Sequence, residues 1–162
     1  MSQNKEAFFV KFKKICAVLM AALLCVCVCV PAFAAGDESR VVSRTVEQYD
    51  NGAYAVITVY EDAASRATGS KNGHKAFDYY ESGTLQWTYT LHASFTYNGS
   101  TATCTAATAT FDKQVDIWKL IANDPSPSGS AAIARGVVQK TTTGKKVSPT
   151  VTITCTPNGV LA

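Results

Sequence analysis

Leu85-Gln-Trp-Thr-Tyr-Thr-Leu-His-Ala-Ser-Phe-Thr-Tyr97 alternates without a break over 13 residues. Leu85, Trp87, Tyr89, Leu91, Ala93, Phe95 and Tyr97 fall on one face. Gln86, Thr88, Thr90, His92, Ser94 and Thr96 fall on the other. A period of two is the signature of a strand with one buried face, and an α-helix does not produce it. This segment sets an all-β expectation for its surroundings.

The segments on either side extend the pattern. Asn98-Gly99 suits a two-residue hairpin turn, because glycine and asparagine tolerate the positive φ such turns require. Pairing outward from that turn predicts Phe95 opposite Ala102, Ala93 opposite Cys104 and Leu91 opposite Ala106, with Cys104 in the core. Upstream, Glu81-Ser82-Gly83 predicts a three-residue loop, pairing Tyr79 with Leu85 and Phe77 with Trp87. Lys75 to Phe111 therefore reads as a three-stranded meander. An earlier hairpin is expected from Val41–Gln48 and Tyr54–Tyr60 around Asp50-Asn51-Gly52, followed by a loop from Glu61 to Asn72. Val115 to Ile121 mixes two periods and reads as a strand rather than a short helix. Pro125 to Ser130 reads as a loop. Ala132–Lys140 and Thr150–Thr156 read as strands, with a turn at Thr143-Gly144. Seven or eight strands point to an antiparallel β-sandwich. Cys104, Trp118 and Cys155 follow the immunoglobulin Cys-Trp-Cys order. However, Ile153 occupies the tyrosine-corner position and only seven residues follow Cys155, so a true immunoglobulin domain is not expected.

The start of the chain is of another kind. Lys5, Lys11, Lys13 and Lys14 precede an uncharged apolar run from Ile15 to Val30, then Pro31 and Ala32-Phe33-Ala34. That is the order of a secretory signal: basic, apolar, then a small-residue cleavage site. The run has 16 residues, short of the roughly 20 that a spanning helix needs. Leu24 and valines precede Cys25, Cys27 and Cys29, which excludes a lipoprotein site. The expectation is a cleaved signal peptide over residues 1–34 and one β-sandwich domain over 35–162. The product would be secreted and, after cleavage, would have no membrane attachment.

Removing the leader changes the charge. The full chain carries a formal +3, but from Ala35 onward 11 basic residues balance 11 acidic ones. Such a balance gives no reason to expect nucleic acid or anionic lipid as a partner. Four of the six cysteines leave with the leader. Cys104 and Cys155 remain, each flanked by threonines in an alternating strand, and are expected to form one buried disulfide.

Leu85-Gln-Trp-Thr-Tyr-Thr-Leu91, Phe95-Thr-Tyr-Asn-Gly-Ser100, Cys104 and Thr152-Ile-Thr-Cys155 together resemble small secreted β-rich proteins predicted from Gram-positive anaerobe genomes. The resemblance covers about the last 90 residues. It implies a secreted β scaffold with no assigned activity, and it assigns no catalytic or binding residue.

The chemistry-bearing residues are sparse. His74 and His92 lie 18 positions apart, which matches no zinc-site spacing, and both read as surface histidines. Ser70 and Ser128 lack the Gly-x-Ser-x-Gly context of a nucleophile elbow. Thr143-Gly144-Lys145-Lys146 lacks the first glycine and the final hydroxyl of a phosphate loop. No metal or cofactor is expected. Asp78, Glu81, Asp112 and Asp116 are the candidates for paired carboxylates of a small hydrolase. Asn123-Asp124 lacks the alternating acidic loop of a calcium site. Asn98-Gly99-Ser100 is formally a glycosylation sequon that its turn role also explains. Tyr54 and Tyr60 share one face of their strand, and Tyr79, Tyr80, Trp87, Tyr89 and Trp118 lie elsewhere; most of these aromatics are expected in the core, and any left exposed are the candidates for a binding platform. The expected function is non-enzymatic binding of an extracellular protein or glycan by displayed loops or an edge strand. The alternatives are a secreted hydrolase and an exported antibacterial or signalling effector.

Overall fold

The computed structural model describes residues 39–49, 52–62 and 69–162. The leader, the turn residues Asp50 and Asn51, and the middle of the expected 61–72 loop lie outside them. Asp37–Ala162 forms one unit.

Among the described residues, nine strands make two antiparallel sheets. Sheet A is a meander of β1 (Arg40–Gln48), β2 (Tyr54–Glu61), β3 (Ser70–Glu81), β4 (Thr84–Tyr97) and β5 (Ala102–Lys113) in sequence order. Sheet B places β7 (Ala131–Lys140) between β6 (Trp118–Ser128) on one side and β8 (Lys146–Val147) with β9 (Thr150–Thr154) on the other. The fold is the expected β-sandwich, with one strand more than the upper count.

The alternation in β4 sets the core. Trp87, Tyr89, Leu91, Ala93 and Phe95 are buried, against Phe77 and Tyr79 of β3 on one side of the strand. Sheet B answers these large side chains with small ones: Ala132, Ala134 and Val138 of β7 are fully buried. Gly136 continues that row, and a Cβ there would sit 3.1 Å from the Tyr89 ring. The Tyr89 hydroxyl then crosses to β6 and donates to Asn123 Oδ1 at 2.7 Å. Trp87 stacks between Tyr79 (4.9 Å) and Phe77 (5.6 Å).

Two register expectations are corrected. Ser82 (φ 51°) and Gly83 (φ 77°) make a two-residue turn with both residues in the left-handed region, so Glu81 pairs with Thr84. Tyr80 then pairs with Leu85 and Tyr79 with Trp87, leaving Gln86 as a bulge. The bulge turns Gln86 inward, where its Oε1 accepts the Trp118 indole N–H at 3.1 Å. At the next hairpin the loop is longer than Asn98-Gly99. Asn98 Oδ1 accepts the N–H groups of Ser100 and Thr101, closing an Asx-type turn. Pairing first slips by two residues, so Tyr97 faces Ala102 and Phe95 faces Cys104; a bulge at Thr105 then makes the slip three, so Ala93 faces Ala107, Leu91 faces Ala109, and Ala106, expected on the core face, is exposed. An even slip preserves which face each residue occupies, which is why Cys104 is still buried.

Pro125 and Pro127 lie inside β6, not in a loop, and the turn is confined to Gly129-Ser130. β6 is an edge strand, where a missing N–H breaks no ladder. Val115 and Ile117 lie before β6 in a turn closed by Trp118 N–H to Val115 O at 3.3 Å. Glu61 and Ser70–Asn72, expected in a loop, belong to β2 and β3.

Candidate functional site

A free strand edge is a template for another chain, and natural sheets blunt such edges. This sandwich has four. The β5 edge is met at two points, where Cys104 N–H bonds to Gly129 O of the β6–β7 turn at 2.7 Å and Asn123 Nδ2 donates to Ala109 O at 3.3 Å. β6 carries two prolines. β9 is covered by the C-terminal tail through reciprocal Thr154–Ala162 bonds of 2.9 and 3.0 Å. β1 differs: it pairs with β2 on one side, and among the described residues nothing pairs with the other. Eight of its nine residues are exposed. Val41 and Val46, each 55% exposed, are among the few large apolar side chains open to solvent, and Tyr49 (38%) follows directly. A bulge between Val41 and Ser43 brings Val41 onto the same face as Val46, opposite Tyr60 and Val56 respectively.

The outer face of sheet A carries the aromatic candidates. Tyr54 stacks on Tyr80 at 4.7 Å, and Tyr60 stacks on His74 at 4.5 Å. Six residues along β2 separate the two stacks, which is roughly 20 Å. Tyr79, Trp87, Tyr89 and Trp118 are core residues, not a platform.

His74 and His92 are directly opposite one another on β3 and β4, with ring centroids 5.5 Å apart. Their spacing along the chain conceals this, because hairpin pairing, not strand length, sets the distance. Asp62 Oδ1 lies 2.8 Å from His74 Nδ1 and accepts Ser39 Oγ–H at 3.0 Å. Burial is the main cause that pushes the His92 imidazole below its ordinary value, and its neighbour His74 adds to it.

The carboxylate candidates are not brought together. Asp116 is fully at the surface beside Lys113 (2.8 Å). Asp112 accepts from Gln114, and Asp78 accepts from Thr88. Glu81 instead ties the sheets together: it receives Lys140 at 2.7 Å and Lys145 at 2.9 Å from the sheet B side, and Tyr79 O–H at 3.2 Å. Burial pushes the Glu81 carboxyl up, but the two lysine hydrogen bonds outweigh it and hold the group below its usual range. Lys145, met in the phosphate-loop fragment, is thus a structural residue. Asn123 is likewise occupied, by Tyr89 O–H and by its own bond to Ala109 O at 3.3 Å.

Two shallow depressions flank Tyr97. One of about 270 Å³ is lined by Thr96, Tyr97, Asn98, Thr101 and Thr103. The other, of about 330 Å³, is lined by Gly69, Tyr97, Asn98, Gly99, Pro157 and Asn158. No carboxylate, histidine or cysteine lines either one.

The expected Cys104–Cys155 bridge is absent here: both are free, buried thiols. Each donates locally, Cys104 Sγ–H to Ala106 O (3.3 Å) and Cys155 Sγ–H to Thr156 O (3.5 Å). Their backbone N–H groups bind successive carbonyls, Gly129 and Ser130. Burial raises both thiols, and Cys104 adds to the rise at Cys155.

No family model, curated protein or solved structure matches the chain.

Proposed function

We propose that this chain is an exported, non-enzymatic β-sandwich that binds an extended segment of an extracellular protein by strand addition along β1. The supporting observation is the contrast among the four edges. Three are blunted by prolines, a tail or a turn, and among the described residues nothing pairs with the outer side of β1. Strand addition draws affinity from main-chain hydrogen bonds and specificity from alternate side chains. The partner segment would be β-forming, with apolar residues spaced to cover Val41 and Val46. Export follows from the leader. In an oxidising compartment Cys104 and Cys155 would each lose a proton and one electron to a thiol–disulfide oxidant, and the bond would join β5 to the end of β9.

Selection of a displayed linear-peptide library on the full chain tests the reading. Binding peptides should protect the amides of Arg40–Gln48 from hydrogen exchange. Val46→Lys should weaken them at least tenfold without changing the melting temperature by more than a few degrees. Binding that survives Val46→Lys but fails in Tyr54→Ala and Tyr60→Ala would move the site to the outer face and make a glycan the ligand. Turnover of a polymeric substrate, lost in Asp112→Asn, would establish the hydrolase instead.

A further inference from the structure

Strand pairing has placed two imidazoles side by side on the outer face of sheet A, and one of them is already held as a metal ligand would be. Asp62 Oδ1 lies 2.8 Å from His74 Nδ1, and a carboxylate accepts, so in the neutral ring Nδ1 carries the proton and Nε2 holds the lone pair. Ser39 Oγ–H on the same Asp62 oxygen (3.0 Å) holds the carboxylate, and Tyr60 stacked at 4.5 Å holds the ring plane. A carboxylate on the far nitrogen of a histidine is the usual outer-shell device that orients a metal-bound imidazole and raises its basicity. His92 is exposed, its Nε2 lies 3.5 Å from Thr110 Oγ1, and its Nδ1 has no partner among the described residues.

The separation fits a shared ion. Metal–nitrogen bonds of about 2.0–2.1 Å place two imidazoles on one ion with centroids roughly 4.5–5.5 Å apart. The observed separation is 5.5 Å, with the planes tilted by 36°. No group of three or more histidine, cysteine or acidic side chains with metal-binding geometry occurs among the described residues. The site therefore supplies two nitrogens, and solvent completes the shell. Imidazole pairs select zinc, nickel or copper over calcium and magnesium, which demand oxygen.

We propose that His74 and His92 form a two-imidazole site for a divalent ion of the zinc, nickel or copper class, with Asp62 positioning His74. Neither histidine belongs to β1, so the site stands apart from the strand-addition reading.

The test is a zinc titration of the untagged full chain with ¹⁵N-labelled histidine, read by ring-nitrogen NMR. Both histidines should shift together along one saturation curve. His92→Ala should abolish the saturating response at His74, and His74→Ala that at His92. Asp62→Asn should weaken binding about 10–100-fold with the sheet signature in circular dichroism unchanged. Different apparent affinities at the two rings, or a His74 affinity within twofold of wild type in His92→Ala, would show two independent surface imidazoles and overturn the proposal. His92→Gln serves as the second variant should His92→Ala fail to fold.

Discussion

Replacing Glu81 by glutamine removes the charge that joins the two sheets at one end of the sandwich. Glu81 ends β3; Lys140 ends β7 and Lys145 precedes β8, so both contacts bridge sheet A to sheet B. The Glu81 and Lys140 side chains are 20% and 21% exposed, and Lys145 is 41% exposed. Exposed pairs contribute about 0–1 kcal/mol, whereas orphaning one member of a fully buried pair costs about 3–5 kcal/mol. The partial burial here places Glu81→Gln between them, at about 1–3 kcal/mol. For a domain of this size that lowers the melting temperature by roughly 3–6 °C per kcal/mol. Because the folded carboxyl is held below its ordinary value, its contribution is fully present above the unfolded value of about 4.3 and is lost as pH falls through the folded one. Urea unfolding at pH 7 and pH 3 should therefore show wild type and Glu81→Gln well separated at neutral pH and converging in acid. Adding Lys140→Met should expose a coupling energy of about 0.5–2 kcal/mol in a double-mutant cycle. Equal stabilities at pH 7, or a separation that does not shrink in acid, would refute the bridging role.

Other substitutions probe the packing. Gly73→Ala places a Cβ 2.5 Å from Leu161 Cδ1 and 2.6 Å from the Tyr60 carbonyl oxygen, and should cost about 1–3 kcal/mol by chemical denaturation. Leu161→Ala should relieve only part of that cost, because the Tyr60 oxygen is backbone. Trp118→Phe leaves the buried Gln86 Oε1 without its 3.1 Å donor and should cost about 1–3 kcal/mol by the same assay. On chain recovered from an oxidising compartment, reduction should raise the intact mass by about two daltons. The loop of roughly 50 residues closed by Cys104 and Cys155 should make the oxidised form more stable by about 4 kcal/mol. An unchanged mass would remove the bridge from the reading.

Much of the fold was legible because side-chain alternation is local. Each residue of Trp87–Tyr97 finds its face from its immediate neighbours, so Trp87, Tyr89, Leu91 and Phe95 are identifiable as core without any partner strand. Cys104 was placed correctly from a wrong register, since an even slip preserves faces. Gln86 was misplaced, because a bulge changes the count and arises only where two strands with different turns must pair. Pro125 and Pro127 read as loop in the sequence because proline usually excludes a strand, and their edge position is a property of the whole sheet. The candidate sites were less legible still. Tyr54 and Tyr60 were placed together by their even spacing on one strand. His74 and His92 were separated by the same ruler, although the hairpin sets them opposite one another. That no described residue pairs with the outer side of β1 is invisible in its own nine residues, because it depends on where the other eight strands, the tail and the turns run. Alternation and composition determine which side of a strand faces inward. The long-range hydrogen bonds of the assembled sheets decide which residues meet across strands and which backbone edge is left open.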